Sequence, residues 1–255
     1  MKFKNNTSAY LTSLLFIALV LTSFQGISQE LKIPVGHFDK VIVSPHIEVN
    51  FIESDYEEVE IHNSKISLAK INVKLIGSTL RIYLEDAQIV AKSEKVDNIK
   101  WKGKQSIYNG KIATLTVKYK ALKELSLRGE QKFVCESPLE MDKFHLKIYG
   151  EANVILKKVN IGTLKTIIYG ESNLCIKEGQ IAQQVFTNYG EAEINTLGIE
   201  NNKTKIISHG EAEYKINVED RLRITSYGET SIAYTGNPSV SKGIIVGEVD
   251  IEKML

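Results

Sequence analysis

The chain reads as an all-β, right-handed, single-stranded parallel β-helix with about 20 residues per coil, on two observations. The dipeptide Gly-Glu recurs seven times, at Gly129, Gly150, Gly170, Gly190, Gly210, Gly228 and Gly247, with spacings of 21, 20, 20, 20, 18 and 19 residues. Around each copy, apolar residues fall at even offsets and polar ones at odd offsets. A fixed period near 20 with strand-like content marks a solenoid, in which each repeat is stable only against its neighbours. A propeller blade needs twice this period, and the leucine-rich consensus is missing.

Residues 1–28 read as a secretory signal rather than as fold. Lys2 and Lys4 begin it, Leu14 to Leu21 is an unbroken apolar run, and Gly26-Ile27-Ser28 precedes Gln29 as a small-x-small cleavage site. The run is short for a membrane span, and no later stretch is apolar enough to cross a bilayer. An uncleaved anchor is the competing reading. The expected address is past the inner membrane, in the periplasm or at the cell surface. Losing Lys2 and Lys4 turns a net charge of +1 into −1. Nucleic acid, which selects a strongly basic domain, is therefore not an expected partner.

Residues 29–255 are expected to form one domain. In residues 29–125, the runs Val41–Val43, Ile47–Phe51, Val59–Ile61 and Leu80–Leu84 alternate as strands, with Gly77-Ser78 as a turn before Leu80. They read as degenerate early coils or a capping sheet. Between Lys92 and Lys123 stand nine lysines and Trp101 against Glu94 and Asp97. That run is either a basic patch for an anionic ligand or a solvated face.

Residues 126–235 carry the regular coils. Two after each glycine stand Ala152, Ser172, Ala192, Ala212 and Thr230; four after stand Val154, Leu174, Ile194, Tyr214 and Ile232. Period-two alternation gives strands with one buried face. The parity continues through the glycine, which is expected where the chain bends and a side chain would not fit. Cys135 and Cys175 lie six and five residues past their glycines, so they face opposite ways and are expected to stay unpaired. Gly236-Asn237-Pro238 breaks the rhythm, and residues 236–255 are expected to cap the last open strand.

Several segments together resemble the head GIN domain family, the "putative auto-transporter adhesin" proteins common in Bacteroidetes. They are FDKVIVSPHIEVNFIES, INVKLIGSTLRIYLE, ALKELSLRGEQKF, the glycine-punctuated coils and YTGNPSV…GIIVGEVDI, from about Phe38 to Ile251. The resemblance implies a secreted right-handed β-helix with no established catalytic residues. Where the family has Ser-Gly-Ser-Gly-Asp-like corners, this chain has Tyr-Gly-Glu-Ala.

Odd offsets face outward, so the residues flanking each glycine form two files: Tyr149, Tyr169, Tyr189, His209 and Tyr227 before it, and Glu130, Glu151, Glu171, Glu191, Glu211, Glu229 and Glu248 after it. One reading stacks the tyrosines for rigidity, with the glutamates neutralised by Lys147, Lys157, Lys177 and Lys215. A second makes the files a recognition strip for polysaccharide or an envelope protein, sugar rings lying on tyrosine faces and hydroxyls on carboxylates. A third places Ca²⁺ between coils, although one glutamate per coil seldom supplies the six or more oxygens required. The strip is the ligand site we expect, with no cofactor, metal or catalytic residue. A β-helix lyase or glycosidase is the alternative, as is a structural spacer. Against an enzyme, the glutamates share one environment, which does not divide acid from base. The arginines (Arg81, Arg128, Arg221, Arg223) read as lying outside the repeating corner, and the histidines have no metal-ligand spacing.

Overall fold

The computed structural model describes residues 30–89, 93–98 and 101–254; the segment expected to be a signal, residues 1–28, lies outside them, as do Lys92 and Lys100 of the basic run. The chain is the all-β solenoid that its period predicts. Long strands Asn153–Tyr169, Ser172–Tyr189, Ile199–Asn217, Arg221–Thr235 and Ser239–Lys253 pair in parallel with their neighbours one coil away. Identical offsets pair: Tyr149 with Tyr169, Tyr189 with His209, Glu211 with Glu229, and Glu229 with Glu248.

The alternation decides which face is buried. Leu146, Phe186, Ile206 and Ile224, and on the next wall Val154, Leu174, Ile194 and Ile232, are withdrawn from solvent into one continuous core. Side chains at odd offsets point out, because successive residues of a strand face opposite sides. The interior is not wholly apolar. Gln184 donates to the Thr204 hydroxyl (2.9 Å), which donates to Asn201 Oδ1 (2.7 Å), and Asn201 donates to the Ile181 carbonyl (2.7 Å). This network joins neighbouring coils and pairs most of its buried polar atoms, Gln184 Oε1 being left without a partner.

Each corner requires glycine for two reasons. Gly150, Gly170, Gly190 and Gly210 have φ between +102° and +119°, a region L side chains rarely adopt. A Cβ on Gly170 would also lie 2.6 Å from the carbonyl oxygen of Gly150, and one on Gly190 2.7 Å from that of Gly170. The obstacle is thus the backbone of the adjacent coil. The corner amides are used as well: Gly150 N donates to the Tyr169 carbonyl (2.8 Å) and Gly190 N to that of His209 (2.9 Å).

At the amino-terminal end the coils are shorter and end in antiparallel pairs. Lys40–Val43 lies between Thr79–Leu84 and Glu124–Arg128, and Ile47–Glu53 between Ala113–Tyr119 and Lys132–Cys135, all parallel. Outside them, Glu58–Ser64 pairs antiparallel with both Ala113–Tyr119 and Leu31–Pro34, and Ile71–Ile76 closes a hairpin on Thr79–Leu84. Three lysines of the basic run sit in ion pairs here: Lys111 with Glu48 (3.0 Å), Lys118 with Glu60 (2.7 Å) and Lys123 with Asp39 (2.8 Å). Burial works to raise the Glu60 carboxyl pKa, but hydrogen bonds from Lys118 and Lys32 prevail and hold it below the usual range. Cys135 and Cys175 are both free thiols.

At the other end, Ser239–Lys253 adds one more parallel strand. Its ladder slips opposite Thr225, between Ile224 and Ser226, with the exposed Lys242 beside Ile224. A bulge and a lysine on the edge strand are devices that discourage further strand pairing.

Gly190→Ala is expected to destabilise the protein by about 1–3 kcal/mol from the backbone conformation alone, with the clash against Gly170 adding to it. Asn153→Ala on the outer face is expected to stay within about 0.5 kcal/mol. Denaturant unfolding of the two variants checks this.

Candidate functional site

Corner and register together place the two outward files on either side of a line of glycines. In the first file the rings are nearly coplanar stacks. Centroid separations and interplanar angles are 5.4 Å and 5° for Tyr149–Tyr169, 4.7 Å and 7° for Tyr169–Tyr189, 4.8 Å and 8° for Tyr189–His209, and 4.8 Å and 4° for His209–Tyr227. The parallel register sets this spacing, since strands one coil apart are about 4.8 Å from one another.

Stacking uses up the ring faces. Tyr169 and Tyr189, stacked on both faces, remain 43% and 39% exposed through their edges, and Tyr227, stacked on one face, is 37% exposed. The face of Tyr149 away from Tyr169 is covered by the Arg128 guanidinium, 5.1 Å from the ring centroid. Sugar rings therefore cannot lie flat on the inner rungs, as the strip reading supposed; the ladder offers phenol edges and hydroxyls. Arg128 also corrects the sequence reading of the arginines. It pairs in register with Tyr149 and immediately precedes Gly129, so it fills the ladder position of the first regular coil. Its place before a corner glycine was the available signal.

The second file is different. Glu151, Glu171, Glu191, Glu211, Glu229 and Glu248 line one open trough of about 800 Å³. Ser172, Ala192, Ala212 and Thr230 form its floor, and Asn173, Glu193, Glu213, Ser231 and Asp250 the opposite wall. The floor is low because the residue two past each glycine is small. Ser172 tightens it by donating to the Gly150 carbonyl (2.8 Å).

Of the four lysines expected to neutralise this file, Lys147, Lys157 and Lys215 pair with other carboxylates. Lys147 binds Glu124 (2.7 Å), Lys157 binds Glu136, and Lys215 binds Glu213 (2.7 Å) and, more loosely, Glu193 (3.9 Å). Hydrogen bonding to Glu213 raises the Lys215 pKa. None of the six trough glutamates beside the glycines forms an ion pair among the described residues. The row beside the glycines is thus a file of carboxylates with no built-in counter-ion, while on the opposite wall Lys215 offsets Glu213 and Glu193.

The trough carboxylates do not converge as metal ligands. Among the described residues, one group of three donors lies within 4.8 Å: Glu30, Glu60 and His62, in the amino-terminal sheet. Two lysines already occupy Glu60, at 2.7 Å (Lys118) and 3.1 Å (Lys32). That group was invisible in the sequence because Glu30 and His62 are far apart in the chain.

The family model described as "Putative auto-transporter adhesin, head GIN domain" matches residues 37–238. The chain belongs to this family. None of the curated proteins matches it. Among solved structures, the GIN-domain chain is similar to a putative adhesin from Bacteroides fragilis, at 20% identity and a TM-score of 0.71, covering 88% of this chain and 96% of that one. It is also similar to a putative adhesin from Parabacteroides merdae (18%, TM-score 0.62, 91% and 98% covered) and a putative lipid binding protein from Parabacteroides distasonis (20%, 0.62, 91% and 98%). At these identities the likeness concerns the fold. Among the described residues, no helix is long and apolar enough to cross a membrane.

The ladder predicts a stability effect that a purely ligand-facing strip would not have. Tyr189→Ala removes two stacked neighbours, each aromatic pair contributing about 0.5–1.5 kcal/mol beyond burial, so a loss of about 1–3 kcal/mol is expected. Thermal unfolding of the variant should show a lower Tm than wild type.

Proposed function

We propose that this GIN domain is an exported, non-catalytic adhesion module that holds a polymeric ligand, a glycan or another envelope component, along the glutamate trough. The observation that supports this is the row of carboxylates repeating once per coil with no lysine partner. Carboxylate oxygens accept hydrogen bonds from sugar hydroxyls, and the phenol edges of Tyr169, Tyr189 and Tyr227 stand beside them on the other side of the glycine line. A ligand that repeats along its length gains from every additional coil it reaches, because each further contact is intramolecular.

Charge narrows the ligand class. Uncompensated glutamates repel acidic polysaccharides and favour neutral or amino-bearing ones. The residues that carry the reading are Glu151, Glu171, Glu191, Glu211 and Glu229, with Tyr149, Tyr169, Tyr189, His209 and Tyr227 as their scaffold and rim. Export rests on the signal pattern of residues 1–28 and on the adhesin family, and a mature amino terminus at Gln29 in a periplasmic or surface fraction is its direct consequence.

The test is retention on immobilised polysaccharides, neutral, amino-bearing and uronate-bearing, with the mature protein and a Glu171→Gln, Glu191→Gln, Glu211→Gln triple variant. Glutamine keeps the shape and removes like-charge repulsion, so the triple variant is expected to melt no lower than wild type. It should lose at least tenfold in retention on the neutral or amino-bearing polymer. Equal retention of the two proteins on every polymer would remove the trough as the binding surface.

A further inference from the structure

Beyond the first rung of the ladder, at the junction of the regular coils with the amino-terminal sheet, lies a second cavity of about 610 Å³. It differs from the trough in both shape and chemistry. Pro45, Ile89, Tyr108 and Tyr149 give it apolar walls, and Arg128 and His46 bring cationic or protonatable groups to it. Its volume falls within the range of ordinary small-molecule pockets, roughly 300–1,000 Å³.

The pocket is held by polar contacts, most of them half-buried. Gln131, itself buried, accepts from the backbone amides of His46 (2.7 Å) and Glu130 (3.2 Å) through Oε1. His46 sits at φ +71°, an uncommon conformation for a residue with a side chain, and its Nδ1 donates to the Gly110 carbonyl (2.8 Å). Strained non-glycine backbone persists where its surroundings over-determine it, and such residues cluster at ligand sites. Tyr108 is buried, its hydroxyl donating to the Glu85 carbonyl (3.0 Å), and its ring lies 5.9 Å from that of His46.

Arg128 is the group the fold leaves unfinished. Its guanidinium rests on Tyr149, its Nε is buried without a hydrogen-bond partner, and no carboxylate among the described residues forms an ion pair with it. A guanidinium fixed on an aromatic face is pre-organised to bind a planar carboxylate with two parallel hydrogen bonds.

We propose that this cavity is a binding site for a small ring-bearing monocarboxylate, its acid group on Arg128 and its ring among Pro45, Ile89, Tyr108 and Tyr149. Glu130 and Glu151 also line the cavity and oppose a second negative charge, so a phosphate monoester or other dianion is disfavoured. The ring can come from a uronic acid or from an aromatic acid. This site adjoins the trough, with which it shares Glu151, and holds a different ligand.

The experiment is titration calorimetry of the whole mature protein with two acids, glucuronate and phenylacetate, each beside its uncharged counterpart, glucose and phenylacetamide. At least one acid is expected to saturate the protein and to bind at least tenfold tighter than its counterpart; which acid does so identifies the source of the ring. Arg128→Gln should bring that acid to the level of the uncharged compound. Because Arg128 also covers the ladder, a second variant, Ile89→Glu, changes a side chain that is 63% exposed. It should weaken the same acid at least tenfold without lowering Tm. The proposal is overturned if neither acid saturates the protein, if the uncharged compound binds equally well, or if both variants bind the acid as wild type does.

Discussion

The close approach of one glycine to the next governs this molecule. At each corner the chain turns through a conformation open to glycine, and the carbonyl of the glycine in the preceding coil fills the space a Cβ would need. Coils can therefore stack at strand separation through the bend as well as along the walls. The amide of each corner then finds the carbonyl of the ladder residue one coil on, so bend and register support each other. Any side chain at these positions would force the walls apart locally and break the register on which both outer files depend.

Register distributes opposite consequences to the two files. Aromatic rings repeating at about 4.8 Å gain from one another, and the ladder stabilises the solenoid. Carboxylates at the same backbone spacing repel, by roughly 0.9 kcal/mol per adjacent pair in water and more near a low-dielectric surface. The lysines that would relieve this are engaged with Glu124, Glu136 and Glu213 instead. The fold is thus self-sufficient on one side of the glycine line and not on the other. That asymmetry is why we place the ligand among the glutamates and treat the tyrosines as scaffold.

Much of the architecture was legible because it is periodic. The glycine spacing, the buried even offsets and the small residues along the trough floor can all be read by aligning copies of one motif. What was missed is aperiodic or depends on partners that alignment does not reveal. Arg128 breaks the aromatic rule while keeping its position. Gln184, Thr204 and Asn201 look like lapses in an apolar pattern until the coils stack and join them in one network. Lys118 and Glu60 meet across antiparallel strands far apart in sequence, and the slip opposite Thr225 has no sequence mark beyond Gly243. Sugar stacking on the inner rungs is excluded by a distance: rings close enough to form a ladder cover one another's faces.

The central claim is that outward residues of successive coils lie directly over one another. Disulfide formation tests it, since a bridge requires Cα atoms about 4.4–6.8 Å apart. In a background with Cys135 and Cys175 replaced, Glu211→Cys with Glu229→Cys, which pair in register, should oxidise readily to an intramolecular disulfide. Glu211→Cys with Glu248→Cys, two coils apart, should not. Bridging in the second pair, or none in the first, would contradict the stacked-corner architecture and the trough that depends on it.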